Sequence, residues 1–175
     1  MLALLPWAIQ VRHQVGRRNL DAARAAYDLL TPNLSVPHTI KIEPFIEDMA
    51  AAYGWADVVV CRAGALTISE LAAAGVASIL VPYPFAVDDH QSRNAAWLAD
   101  VGAAILIPQE HLSADGLAAQ LQKLWPAEHG TGPQGPFNPE TRQALLHMGQ
   151  RARAMAHPDA ADQVAQACME VGHDG

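Results

Sequence analysis

Hydrophobic residues along the chain fall into short apolar runs that alternate with amphipathic segments. The runs are rich in aliphatic and β-branched residues, which favours strands, and they lie at 8–14, 39–45, 57–62, 77–83 and 103–108. The segments between them repeat apolar residues at helical spacing, over 17–30, 46–54, 66–74, 89–101 and 113–124. This alternation predicts an α/β fold, a Rossmann-like parallel sheet with helices on both faces.

The composition changes near the carboxyl-terminal third of the chain. Residues 126–139 are rich in Pro and Gly, which predicts a loop. Helical patterns follow from Glu140 and, after a break at 157–159, over 160–171. The length of 175 residues is enough for one domain or for half of a larger two-domain protein, and we expect residues 1–175 to form a single domain.

Composition and charge exclude several classes of protein. Hydrophobic residues make up 51% of the chain and charged residues 17%, which is typical of a folded globular protein. A formal net charge of −7 argues against a general nucleic-acid binder, which needs a basic face. The apolar first ten residues are too short to span a bilayer, and they lack the basic segment of a signal peptide. Cys61 and Cys168 are expected to be reduced core residues, and no cofactor is indicated.

The sequence CRAGALT, residues 61–67, marks a candidate ligand site where a strand gives way to a helix. In doubly wound sheets, ligands bind beyond the carboxyl ends of the strands. Gly64 permits a tight turn, and the amides of Ala65, Leu66 and Thr67 would begin a helix without intrahelical partners. Such amides, aided by the helix dipole, favour a phosphate or diphosphate.

Glu70, three residues after Thr67, has two interpretations. Thr67 and Glu70 fit a capping box, in which the carboxylate bonds back to the backbone at the start of the helix. Alternatively, a carboxylate beside a phosphate site can accept hydrogen bonds from the two vicinal hydroxyls of a ribose. The second interpretation, together with the amides, would describe a nucleotide diphosphate site.

The order and spacing of residues 43–108, with CRAGALTISELAAAG in the middle, resemble the carboxyl-terminal domain of the MurG family. The likeness extends from about His13 to the last helix. Members are UDP-N-acetylglucosamine:lipid I N-acetylglucosaminyltransferases of bacterial peptidoglycan synthesis, inverting hexosyltransferases with the two-domain GT-B fold. The resemblance implies that this chain is the donor-binding half, with UDP-N-acetylglucosamine as its ligand and lipid I as the acceptor of the whole enzyme.

The resemblance also implies roles for residues along the donor site. The amides of Ala65, Leu66 and Thr67 would bind the diphosphate, and Glu70 would bind the ribose. Phe45 would cap the uracil, and the backbone of Ile46 would read its edge. In the segment 88–95, taken as a loop, Gln91 would contact the N-acetylglucosamine, with His90 and Asn94 beside it. Arg62 would support the diphosphate loop.

Several of these residues have structural alternatives. Phe45 would otherwise be a strand-end core residue followed by a helix cap at Glu47 or Asp48, and Arg62 would form a salt bridge at the end of its strand. Asp88, Asp89 and His90 do not complete a metal-ligand set, so no metal site is predicted. His13 and Gly16 match a family segment, but Val15 stands where a serine is common, so only a structural role is expected.

The resemblance places the acceptor site, the catalytic base and the membrane-facing patch in an amino-terminal domain that this sequence lacks. It also places the first strand of the sheet before residue 1. We therefore expect a gap or open edge in the sheet, with poor solubility or dimerisation. The whole enzyme would be peripheral on the cytoplasmic face of the inner membrane. The alternatives are another GT-B UDP-sugar enzyme, a non-catalytic nucleotide-sugar module, and a product with no ligand.

Overall fold

The computed structural model describes residues 1–85, 89–125 and 139–173, with side chains up to Glu170. In these residues parallel strands alternate with helices, which confirms the predicted α/β fold. The strands are β1 (Gln10–Gln14), β2 (Thr39–Glu43), β3 (Val58–Cys61), β4 (Ala77–Leu80) and β5 (Ala104–Leu106). The helices are α1 (Leu20–Leu30), α2 (Met49–Trp55), α3 (Ala65–Ala74), α4 (His90–Ala99), α5 (Ala114–Leu124), α6 (Pro139–Ala154) and α7 (Ala160–His173).

The apolar runs predicted the strands but overstated their lengths. The run at 77–83 pairs only as far as Leu80, because Pro82 and Pro84 follow and proline cannot donate to a strand ladder. The predicted loop at 126–139 is one residue too long, since Pro139 is the first residue of α6, where a missing N–H costs nothing. The rest of that predicted loop lies outside the described residues.

The strands form two sheets. One sheet pairs β1 with β2, and the other has the order β3-β4-β5. A cavity of about 810 Å³ is lined by residues of both β1 and β3, which places the interruption between these two strands. A gap in the sheet, one of the two outcomes that the resemblance led us to expect, is therefore present in the fold.

The central strand β4 is buried along its whole length. Its side chains alternate between two hydrophobic clusters, so helices cover both faces of this sheet. Leu80 packs with α3 and α4 residues such as Leu71 and Leu98. Ile79 packs on the other face with residues of the amino-terminal segment and α5, including Trp7 and Leu121. This arrangement packs α3 and α4 on one face of the sheet, with their amino ends near the carboxyl ends of the strands.

Close contact between two glycines holds the end of α3 against α6. Gly75 ends α3 with φ +68°, and its N–H donates to the carbonyl of Leu71 at 2.9 Å. A Cβ on Gly149 of α6 would overlap the carbonyl oxygen of Gly75. Both positions therefore require glycine, one for its backbone angle and the other for the approach of the helix.

The two cysteines differ in their surroundings. Both cysteines are free, but Cys168 is exposed on α7, so its predicted place in the core is wrong. Burial raises the pKa of the Cys61 thiol to about 11.

Among the described residues, no helix is both long enough and apolar enough to cross a bilayer. The same residues contain no group of three His, Cys, Asp or Glu side chains that could bind a metal ion.

Candidate functional site

The turn between β3 and α3 presents free backbone amides at the carboxyl edge of the sheet. Gly64 is the N-cap of α3, and it provides no side chain to satisfy the first helical N–H groups. The first helical bond runs from Ile68 N–H to the carbonyl of Gly64 at 2.9 Å. The preceding amides, those of Ala65, Leu66 and Thr67, therefore have no intrahelical acceptor. Because Leu66 is 80% exposed, the tip of α3 is open to a ligand.

Glu70 lies in the second turn of α3, not at its start. Since the helix begins at Ala65, Thr67 is its third residue and cannot be the cap, so the capping-box interpretation is wrong. The Glu70 side chain instead accepts a hydrogen bond from the Tyr53 hydroxyl, with 2.9 Å between the oxygens. Glu70 is exposed, and its Oε1 has no partner among the described residues. This oxygen is available to a ligand at the tip of α3.

Tyr53 of α2 keeps its proton at neutral pH and so remains a donor to Glu70. Its side chain is buried, and burial raises the pKa of the phenol, with a smaller contribution from the hydrogen bond to Glu70. No local sequence pattern points to Tyr53, because 17 residues separate it from Glu70. The bond fixes one Glu70 oxygen and leaves the second free.

The segment expected to be a sugar-binding loop is a helix from residue 90 onward. Gln91 and Asn94 lie in the first half of α4, which begins at His90 after Asp89 in the left-handed region at φ 52°. The prediction of a loop over 88–95 is wrong, whereas the hydrophobic pattern had indicated a helix over 89–101. Asp88 lies outside the described residues. His90 is exposed at the amino end of the helix.

The side-chain amides of Asn94 and Gln91, both on α4, bind the backbone near the carboxyl ends of β3 and β4. Asn94 Nδ2 donates to the carbonyl of Ala63 at 3.1 Å, directly before Gly64. Gln91 Oε1 accepts from the Tyr83 N–H at 2.9 Å, which leaves its Nε2 group to donate to a ligand. Asn94 therefore positions the turn, and Gln91 retains hydrogen-bonding capacity beside it.

Arg62 binds backbone carbonyls, so the alternative of a salt bridge at the end of its strand is not what the structure shows. Its Nη1 donates to the carbonyls of Val81 and Pro82, both at 3.2 Å, and its guanidinium lies 5.7 Å from the ring centroid of Tyr83. No salt bridge of Arg62 occurs among the described residues. The side chain joins the ends of β3 and β4 and places a positive charge at the edge that carries the free amides.

The segment after β2 presents an aromatic ring to solvent. Phe45 is 61% exposed, so the alternative that it is a core residue is wrong, although Asp48 does cap α2 by accepting from the Ala51 N–H at 2.8 Å. Ile46 is buried, and its N–H donates to Gln14 Oε1 at 2.8 Å. Of the backbone groups of Ile46, the carbonyl therefore remains to accept a hydrogen bond from a base. Gln14 was not among the predicted site residues, although it lies in the segment of His13 and Gly16.

The His13 segment has the structural role expected of it. A ring nitrogen of His13 lies 3.0 Å from the Tyr27 hydroxyl, and Gly16 adopts φ +76° at the turn into α1. Of this segment, Gln14 contacts the loop that carries Phe45, through its bond to the Ile46 N–H.

Comparisons with known proteins place this arrangement in a family. The model of the glycosyltransferase family 28 C-terminal domain matches residues 2–134. A Marinobacter nauticus protein, named UDP-N-acetylglucosamine--N-acetylmuramyl-(pentapeptide) pyrophosphoryl-undecaprenol N-acetylglucosamine transferase, is 48% identical over 98% of this chain and 42% of its own length. A Shewanella sp. (strain MR-4) protein of the same name is 48% identical over 96% of this chain and 41% of its own length.

Solved structures agree with the fold. The crystal structure of Acinetobacter baumannii MurG has a TM-score of 0.80 at 38% identity, covering 97% of this chain and 43% of that chain. The glycosyltransferase VinC, solved in complex with DTDP, has a TM-score of 0.59 at 16% identity over 96% of this chain and 42% of its own, which shows the fold alone. The chain spans about two fifths of the length of the relatives it matches.

Proposed function

We propose that this chain, which belongs to the family of the glycosyltransferase family 28 C-terminal domain, supplies the donor site of a glycosyltransferase. The reaction is the transfer of N-acetylglucosamine from UDP-N-acetylglucosamine to lipid I, undecaprenyl-diphospho-muramoyl pentapeptide, which gives lipid II for peptidoglycan. The names of the relatives at 48% identity support this donor and acceptor.

One observation carries the proposal. The uncapped amides of α3 and the exposed Oε1 of Glu70 lie on successive turns of one helix, at the carboxyl edge of a parallel sheet. A nucleoside diphosphate presents a diphosphate and a ribose diol in sequence, and these groups match amides followed by a carboxylate. The diphosphate is also the leaving group, so donors aimed at it stabilise the charge that develops as the sugar departs.

The remaining residues complete the donor site. Phe45 stacks on the uracil and the Ile46 carbonyl accepts from its edge, while Arg62 adds positive charge beside the diphosphate. Gln91 donates from Nε2 to a hydroxyl of the N-acetylglucosamine, next to His90. Asn94 acts indirectly, through its hydrogen bond to Ala63. No metal ion or cofactor is assigned to the reaction.

We assign the acceptor site and the catalytic base to the part of the relatives that lies outside the match. The relatives extend well beyond it, since the chain covers 42% of the M. nauticus protein. Inverting transfer requires a base at the acceptor hydroxyl, so this chain alone binds the donor and does not turn over. Because lipid I is membrane-bound, the whole enzyme works at the cytoplasmic face of the inner membrane, held there by its other half.

Two alternative functions also involve a nucleotide-sugar ligand, and both would use the same donor site. A different GT-B UDP-sugar enzyme is disfavoured by the 48% identity to proteins named for the lipid I reaction. A non-catalytic nucleotide-sugar module would bind the donor equally well. The two functions are distinguished by joining this chain to the amino-terminal half of the M. nauticus relative and assaying transfer of N-acetylglucosamine to lipid I. A catalytic donor domain should support transfer, and a non-catalytic module should not.

The donor site is tested by isothermal titration of the 175-residue chain with UDP-N-acetylglucosamine and with UDP. Glu70→Ala removes both carboxylate oxygens, and hydrogen bonds to a charged group contribute about 1.5–3 kcal/mol, so affinity should fall roughly 10- to 100-fold. Glu110→Ala, at an exposed glutamate in the turn Gln109–His111, is the matched control. Equal affinity of the Glu70 variant and the native chain would remove the ribose assignment, and absence of UDP binding would overturn the donor proposal.

A further inference from the structure

Two aromatic side chains lie exposed just beyond the carboxyl end of β4. Tyr83 is 46% exposed and Phe85 is 81% exposed, and their ring centroids lie 5.7 Å apart at an interplanar angle of 73°. This edge-to-face arrangement is one that aromatic pairs prefer. A single exposed apolar side chain needs no explanation, but contiguous apolar surface marks a place where another molecule binds. The pair is therefore a candidate contact for a ligand at this edge of the sheet.

The backbone that carries the two rings is held from both sides. Arg62 Nη1 donates to the carbonyl of Pro82 at 3.2 Å, and Gln91 Oε1 accepts from the Tyr83 N–H at 2.9 Å. The Arg62 guanidinium also lies 5.7 Å from the centroid of the Tyr83 ring. Pro82 and Pro84 flank Tyr83, and each proline fixes its own φ. Because the segment is already ordered, a ligand that contacts the rings loses little affinity to ordering them.

The helices around α3 set the direction in which a bound sugar nucleotide runs. Contacts join α3 to α2 and also to α4. Glu70, assigned to the ribose, is bonded to Tyr53 of α2, whereas Gln91, assigned to the sugar, lies on α4. In a UDP-sugar the diphosphate separates the ribose from the sugar. With the diphosphate on the amides of α3 and the ribose on the α2 side, the sugar extends towards α4.

The end of β4 lies within reach of a sugar in that position. Strands β3 and β4 are paired neighbours, and paired strands lie about 4.8 Å apart. The amides of α3 follow β3, and Tyr83 and Phe85 follow β4. The sugar is bonded directly to the second phosphate, so it begins beside the amides and extends to the end of the neighbouring strand.

We propose that the ring of Phe85, supported by Tyr83, packs against the C–H face of the donor's sugar ring and makes binding depend on the sugar as well as on the nucleotide. This inference rests on the proposed function, because it requires a nucleotide diphosphate at the tip of α3. A pyranose has hydroxyl groups around its rim and C–H groups on its faces. A site for it therefore combines an apolar surface with a few placed polar groups, here Phe85 and the Nε2 group of Gln91.

The other exposed phenylalanine serves the opposite end of the donor. Phe45 follows β2, which pairs only with β1 among the described strands, whereas Phe85 follows β4 of the second sheet. Phe45 is assigned to the uracil, so its loss weakens UDP and UDP-N-acetylglucosamine alike. Loss of Phe85 weakens only the ligand that carries the sugar, and this difference separates the two roles.

The test is isothermal titration of the 175-residue chain with UDP-N-acetylglucosamine and with UDP. Phe85→Ala removes a ring that is 81% exposed, so the fold is retained. Affinity for UDP-N-acetylglucosamine should fall roughly 3- to 10-fold, as expected for one lost aromatic contact, while UDP affinity stays the same. The heat-capacity change on binding the UDP-sugar should also become less negative, because less apolar surface is buried. Phe85→Trp keeps an aromatic ring and should preserve the native ratio of the two affinities.

The matched control is Leu29→Ala, at a 77% exposed leucine near the carboxyl end of α1, which should change neither affinity. If Phe85→Ala left the ratio of the two affinities at its native value, whether by changing neither or by lowering both equally, the ring would not contact the sugar. The proposal would then be overturned while the donor site remained. Failure of the native chain to bind UDP would instead overturn the proposed function, and this inference with it.

Discussion

The hydroxyl of Tyr53, on α2, donates a hydrogen bond to Glu70, on α3, with 2.9 Å between the two oxygens. The bond joins a buried phenol to an exposed carboxylate. Tyr53 therefore acts as a positioning residue: it restricts the rotamers of Glu70 through Oε2 and leaves Oε1 without a partner among the described residues.

Tyr53→Phe should weaken UDP binding while the fold is retained. The phenylalanine ring fills the same buried space, but Glu70 loses its anchor and must be ordered by the ligand, so we expect a roughly 3- to 10-fold loss of affinity in titration. Tyr27→Phe removes a hydroxyl that lies against His13, away from Glu70, and is the matched control. Equal losses in both variants would show that Tyr53 acts only through general stability.

Ala65→Pro should remove one diphosphate donor without breaking α3. Proline is tolerated at the first helical position, and Gly64 already has the extended angles, φ −65° and ψ 147°, that a residue before proline adopts. A hydrogen bond to a charged group contributes about 1.5–3 kcal/mol, so UDP affinity should fall at least tenfold while uridine affinity stays the same.

The control for that variant is Ala114→Pro, at the first residue of α5, where Ser113 is also extended. Both variants should melt within a few degrees of the native chain in circular dichroism. If Ala65→Pro weakened UDP and uridine equally, the amides of α3 would not bind the diphosphate.

Asn94→Ala should destabilise the chain and weaken UDP binding together. The substitution leaves the carbonyl of the fully buried Ala63 without its side-chain donor, which costs about 1–3 kcal/mol in urea unfolding. Asn33→Ala removes a similar bond, to the carbonyl of Leu29 at an exposed site, and should cost less than about 0.5 kcal/mol. Unfolding of the Asn94 variant at the native urea midpoint would show that the turn does not need this bond.

The hydrophobic pattern was sufficient to predict the fold and the edge of the sheet that carries the site. Near-continuous aliphatic runs placed β3 and β4, and the run ending before Gly64 located the free amides of α3. The same pattern indicated a helix over 89–101, which α4 confirms. The loop expected there from family resemblance was wrong, because Gln91 and Asn94 bind strand ends from a helix.

Side-chain partners from distant parts of the chain were beyond sequence reasoning. Tyr53 reaches Glu70 only because α2 packs on α3, and Gln14 reaches Ile46 only because β1 lies beside β2. Neither pair has a spacing that a local pattern can reveal. The division into two sheets is likewise a tertiary property, although the gap itself followed from the family's strand order.

Glu43 should make the stability of the chain depend on pH in the acid range. The carboxylate accepts from Arg12 Nε at 3.0 Å and lies 2.9 Å from Lys41 Nζ, and these two hydrogen-bonded cations, Arg12 first, lower its pKa from 4.5 to about 2. A carboxyl group with a lowered pKa in the folded state contributes stability above its unfolded value, and this is lost as pH falls through the folded value. The native chain should therefore lose unfolding free energy between about pH 5 and pH 2, and Glu43→Gln should flatten that slope. Urea unfolding across this pH range measures the unfolding free energy, with Glu47→Gln at an exposed glutamate as the control. Parallel slopes for the native chain and Glu43→Gln would show that the ion pair across β1 and β2 does not stabilise the fold.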